Sequence, residues 1–210
     1  MSLLPGMAFR GLHDCMSVTK GAIGLAYVIE GVDLDTPLPH ASQTIREALC
    51  HRGGISDDDG VFDYTGFRQR ALEGSALGFS IDALDALGDG DPQSFGYCNV
   101  KWQLLTEHFR RLTGKNCSDV VRIGQWETDA AGTCLGPHGL YLSHDDAVAL
   151  GKLAHKHIKP PPNYAGECWM GWWTKPDGSF VASGYNYQWI HVYPSGDVHV
   201  KLNGLAEDFD

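Results

Sequence analysis

The segment that most restricts how this chain can fold lies near its C-terminal end. Tyr185, Tyr187, Trp189, His191 and Tyr193 alternate with Asn186, Gln188, Ile190 and Val192. Successive side chains of a β-strand point to opposite faces, so strict alternation gathers the five rings on one side. Pro194-Ser195-Gly196-Asp197 reads as a turn, and Val198-His199-Val200-Lys201-Leu202 as the returning strand. With Tyr193 opposite Val198, His191 faces Val200 and Trp189 faces Leu202. That register predicts an apolar inner face of Trp189, His191, Tyr193, Val198, Val200 and Leu202, with one histidine in the core. Upstream, Cys168–Trp173, the turn Lys175-Pro176-Asp177-Gly178 and Phe180–Ala182 extend the pattern into an antiparallel meander over residues 166–202.

Helical signals dominate the first three quarters. Trp102, Leu105, Phe109 and Leu112 recur at the spacing of one helix face, and Gly114 supplies a stop. Ser143 and Asp146 have the spacing of a capping box, and Ala147, Leu150, Ala154 and His157 follow on one stripe. Pro160-Pro161-Pro162 prevents continuation. Thr36-Pro37 offers a further helix start, with Ala41, Ile45, Ala48 and Leu49 behind it and Gly53-Gly54 as its end. Residues 66–72 and 80–87 read as short helices. Residues 1–20 read as irregular. The apolar run Ala22–Ile29 has strand length and predicts a buried strand, as does the shorter Val120–Ile123. The expected fold class is α+β: one domain over 1–210, with helices packed on a C-terminal antiparallel sheet.

The chain has 210 residues, 43% of them hydrophobic, and a formal net charge of -10. An acidic balance disfavours nucleic acid and anionic membranes as partners, since both reward clustered Lys and Arg. It suits a basic protein partner. Residues 56–91 form an acidic, loop-rich segment, with Asp57, Asp58, Asp59 and Asp63 as the candidate docking residues. The same aspartates lack the terminal Glu of a calcium loop, because Arg68 stands in its place. No apolar run reaches the roughly 18 residues of a membrane span, and the N-terminus lacks the pattern of a signal peptide. A cytoplasmic location and free thiols are therefore expected for the six separated cysteines.

One catalytic pair can be assembled. Cys98 precedes the best helix, where a thiol's pKa is lowered, and His191 sits mid-strand on the expected inner face. Gly96–Trp102 resembles the cysteine-bearing helix start of the NlpC/P60 and CHAP peptidoglycan amidase families, and His191–Asp197 resembles their histidine strand and turn. That resemblance implies amide cleavage in a cell-wall peptide, with Cys98 as nucleophile and His191 as base. Cys134 and His138, His155 and His157, and Cys50 with His51 match no zinc spacing, so neither metal nor other cofactor is expected. Trp169, Trp172 and Trp173 mark a candidate ligand-binding face, of the kind that binds sugars or small ligands.

The sequence thus favours a small acidic binding or inhibitory protein that works through a protein interface. A Cys98/His191 hydrolase (peptidase or amidase) and a sugar- or small-ligand-binding module are the alternatives.

Overall fold

The run 22–29 is a helix. In a computed structural model, which describes residues 11–57, 62–87, 90–91 and 94–203, α1 spans Val18–Glu30. Every residue from Val18 to Tyr27 is buried, so no polar face exists to reveal the helical period. Its two glycines carry the reason for their presence. A Cβ on Gly21 would crowd the Trp172 indole, and one on Gly24 would collide with the Met170 carbonyl. Glycine costs a helix about 1 kcal/mol relative to alanine. Here that cost accompanies a close approach between α1 and the strand region, where Trp172 Nε1 donates to the Gly21 carbonyl at 3.0 Å.

The remaining described elements follow in order: β1 (His13–Asp14) before α1, then α2 (Ile45–Leu49), α3 (Tyr64–Glu73), α4 (Ala76–Leu87), α5 (Val100–Thr113) and α6 (Cys117–Val121). After β2 (Gln125–Trp126) and β3 (Leu140–Leu142) comes α7 (His144–His157). β4 (Cys168–Trp169), β5 (Trp172–Thr174), β6 (Phe180–Gly184), β7 (Gln188–Val192) and β8 (Val198–Lys201) complete the chain. The last five form an antiparallel sheet in sequence order, and β1, β3 and β2 form a smaller one. Helices α1 and α7 pack against the five-stranded sheet. The fold is α+β, as expected.

The best helical signals hold. Gly114 closes α5 in a left-handed conformation, and Ser143 and Asp146 cap α7 reciprocally. Several expectations do not. Helix α2 starts at Thr44, which makes a capping box with Glu47, and not at Thr36. Leu38 precedes Pro39, and a residue before proline is pushed out of the helical region. Val120 and Val121 end helix α6 and are not a strand.

The sheet alternates as expected, but the face of β7 is reversed, while Val198 and Val200 of β8 pack inward as expected. Ile190 and Val192 are buried under the helices, whereas Trp189, His191 and Tyr193 lie on the opposite, half-exposed face. The pairing is Val192 with Val198 and His191 with His199, one residue from the expected register. Tyr193 instead belongs to the turn, donating its N–H to Asp197. Gly151 explains the choice: α7 approaches so closely there that Ile190 and Val198 fill the space a Cβ would need. Glycine on the helix leaves room for aliphatic side chains on the strands, and the bulky rings of β7 lie outward. His191 is therefore not a core histidine.

Candidate active site

Four chain segments converge on one cavity of about 270 Å3, lined by Ser17, Tyr97, Asn99, Trp173, Ser183, Gly184 and Tyr185. Ser17 immediately precedes α1. A serine there usually accepts a hydrogen bond from a backbone N–H of the first turn, but the Ser17 side chain makes no such cap. Its Oγ accepts from Lys20 Nζ at 2.8 Å and from Tyr97 Oη at 2.7 Å. The Lys20 ammonium also donates to the Pro137 carbonyl at 2.9 Å and lies 5.1 Å from the Tyr97 ring centre. One turn of helix separates Ser17 from Lys20, which places both side chains on the same face.

Tyr97 is held by the packing of its own segment. Phe95 bridges to Arg52, and Gly96 donates its N–H to the His51 carbonyl at 2.8 Å. A side chain on Gly96 would collide with the Ile55 backbone, so only glycine lets the two segments touch. Behind Tyr97, the His51 ring stacks at 4.5 Å and 19°. His51 is buried with a left-handed backbone (φ 54), and burial keeps its imidazole neutral, helped by Lys20 and Lys101. The end of β6 and the β6–β7 loop supply Ser183, Gly184 and Tyr185 to the lining. Gln188 Nε2 donates to the Asp14 carbonyl at 2.8 Å, which pins that hairpin against the entrance to α1.

The residues singled out from sequence fall elsewhere or do other work. Cys98 is 1% exposed, and its thiol is pushed up to about 12 by burial, with Asp57 adding to the shift. This is the reverse of an activated thiolate. His191 pairs with Ser179 Oγ at 2.8 Å and stacks on Tyr193 on the far strand face. No hydrogen bond or ring contact among the described residues joins it to Cys98. Asp57 is 2% exposed and cannot face a partner. Its carboxylate accepts from the N–H groups of Asn99 and Val100 and from Asn99 Nδ2, at 2.8 to 3.0 Å. Asp63 caps α3 by accepting from the Gly66 N–H, while Asp58 and Asp59 lie outside the described residues.

The tryptophans divide. Trp172 is buried core, Trp169 packs against Tyr164 and Arg46, and Trp173 lines the cavity. Among the described residues, no three His, Cys, Asp or Glu side chains gather as metal ligands, and no helix is long and apolar enough to cross a membrane.

The sequence reading passed over Ser17, Lys20 and Tyr97. The available signals were Ser17-Val18-Thr19-Lys20 and Tyr97-Cys98-Asn99. The first was hidden by reading residues 1–20 as irregular, and the second by taking its middle residue as the nucleophile.

No protein-family model matches the chain, and no curated protein sequence does. Solved structures match well. A D-stereospecific amidohydrolase from Streptomyces sp. aligns with a TM-score of 0.64 at 14% identity, over 90% of this chain and 80% of the other. A penicillin-binding protein from Bacillus halodurans aligns with a TM-score of 0.63 at 16% identity, over 95% and 82%. A β-lactamase from Mycobacterium bovis aligns with a TM-score of 0.60 at 19% identity, over 96% and 82%. At these identities the likeness is one of fold: this chain has the architecture of these hydrolases.

Proposed function

We propose that this protein is a serine hydrolase that cleaves an amide or ester bond through an acyl-enzyme on Ser17. The observation that carries this reading is the Ser17 hydroxyl, which accepts hydrogen bonds from both Lys20 and Tyr97 at the mouth of an open cavity. A serine followed three residues later by lysine is the nucleophile motif of β-lactamases and penicillin-binding proteins. The amidohydrolase among the similar structures supports amide cleavage.

The roles follow from the geometry. Ser17 Oγ attacks the substrate carbonyl carbon, and its proton passes to the Lys20–Tyr97 pair. Both groups are in hydrogen-bond reach, so either can receive the proton once it is itself deprotonated. Collapse of the tetrahedral species breaks the carbonyl–nitrogen or carbonyl–oxygen bond, and the pair returns the proton to the leaving group. Water then attacks the acyl ester by the reverse use of the same groups, releasing the acid and restoring Ser17. The Pro137 carbonyl accepts from the Lys20 amino group on the other side and keeps it close to Ser17.

Hydrolysis of p-nitrophenyl esters and p-nitroanilides by the wild type and by Ser17→Ala tests the proposal. The expected outcome is a fall of at least about 10^3-fold in the variant, because nucleophile deletion removes the whole covalent route. Equal rates would refute it.

A further inference from the structure

A second cavity, of about 340 Å3, adjoins the first. It is lined by Cys50, Arg52, Phe95, Gly166, Glu167, Cys168 and Trp173. Trp173 lines both cavities, so the two share a wall. On that wall the rings run without interruption: Tyr97 stacks on His51, His51 lies parallel to Trp173 at 6.1 Å, and Trp173 meets Phe95 at 5.8 Å. Phe95 is 54% exposed, a large apolar surface for a side chain that stands beside a buried cluster.

The chemistry of the lining is neutral. Burial pushes the Cys50 thiol up to about 11 and raises the Cys168 thiol as well, so both stay protonated and behave as small apolar groups. The two charged residues at the rim, Arg52 and Glu167, form an ion pair with each other. A charged ligand group would have to break that pair, whereas an uncharged ring would lie against Phe95 and Trp173 without disturbing it. Alone, each cavity sits near the lower end of small-molecule sites, and together they reach well into the usual range of roughly 300–1,000 Å3.

We infer that this second cavity is a substrate subsite, and that the substrate carries an aromatic or bulky apolar group beside the bond cleaved at Ser17. The inference rests on the proposed hydrolase reading. Stacking on aromatic walls sets the preference, and the paired rim charges set the selection for neutrality.

Two substrate comparisons test it by kinetics: phenylacetyl against acetyl p-nitrophenyl esters for the acyl side, and benzyl against methyl acetates for the leaving side. In at least one pair the larger group should be preferred by about tenfold or more in kcat/KM, the usual discrimination of an apolar pocket. In Phe95→Ala that ratio should fall about tenfold. Absence of preference in both pairs, or a preference that survives Phe95→Ala, would overturn the subsite. A binding measurement keeps the two readings apart. N-benzylphenylacetamide, added to Ser17→Ala, should change tryptophan fluorescence saturably, and adding Phe95→Ala should weaken that binding at least about fivefold. If Ser17→Ala still hydrolyses esters, the catalytic reading fails. If the amide does not bind, or binds equally to both variants, the subsite fails.

Discussion

Helices α1 and α5 both begin at the same cavity, and each has a nucleophile-bearing residue beside its start. At α1 the residue is Ser17, and at α5 it is Cys98. The two starts differ in what already occupies them. At α5, the buried Asp57 carboxylate accepts from the Asn99 and Val100 N–H groups, so the positive end of the helix is neutralised from within. Cys98 gains nothing from that end and is buried beside a carboxylate, which holds its proton on. At α1, the first-turn N–H groups of Val18, Thr19 and Lys20 are taken by the carbonyls of Cys15, Met16 and Ser17, and the Ser17 hydroxyl is turned toward Lys20 and Tyr97. What sets Ser17 apart from Cys98 is the two polar side chains that reach its hydroxyl, not a vacant helix end. Asp57 also holds the segment before α5, since its own N–H donates to the Tyr97 carbonyl at 3.0 Å.

The comparison can be broken by exchange of roles. Removing the Ser17 hydroxyl should have the largest effect, the loss of at least about 10^3-fold described above, while Cys98→Ala should retain hydrolysis within a few-fold. Parity between the two variants would put the nucleophile elsewhere. Tyr97→Phe should lower kcat by about 10^2-fold, the lower end for loss of a proton-transfer group. It should leave the stack on His51 intact, since only the hydroxyl is removed, so an unchanged melting temperature should accompany the slower rate.

Asp57→Ala should act on the other start. It leaves two backbone N–H groups unpaired in a buried setting and should cost about 2 kcal/mol of stability, read by urea unfolding. A cost near zero would show that Asp57 does not hold α5. Stability should also depend on pH. Burial lowers His138 to about 3 and holds His51 well below its ordinary value, so both are neutral in the folded state. Their unfolded forms bind protons near pH 6.5, so the stability they contribute is present above that pH and is lost as pH falls from about 6.5 toward 3. Unfolding free energies at pH 7 and 4.5 should show this decline, and His138→Gln should reduce it. A pH-independent stability over that interval would contradict the burial of both rings.

How much of this could be read in the sequence depended on whether an element shows one wet face. Helix α5 does, through exposed Arg111 and half-buried Glu107 and Arg110 against buried Trp102, Leu105 and Phe109, and its span was legible, although Leu112, expected on the apolar stripe, is exposed. Helix α1 does not. An apolar stretch buried on every side has no period to detect, and length alone pointed to a strand. The meander was legible as alternation, but alternation does not say which face is inward. The close approach of α7 at Gly151, a tertiary fact, decided that in favour of Ile190 and Val192. The site was the least legible part. Ser17 and Tyr97 are 80 residues apart and are joined by a hydrogen bond, which no local pattern announces. Cys98 stands out in the sequence because it precedes the clearest helix and lies in a segment resembling a cysteine-bearing motif, yet its burial cannot be judged from its neighbours in sequence.

The central claim, that Ser17 and not Cys98 is the activated nucleophile, is tested most directly by covalent labelling. A fluorophosphonate phosphonylates an activated serine hydroxyl with loss of fluoride. Native protein treated with it and digested for mass spectrometry should carry one adduct on Ser17. That adduct should persist in Cys98→Ala and should be lost in Lys20→Met. An unlabelled Ser17, or an adduct that survives Lys20→Met undiminished, would contradict the account.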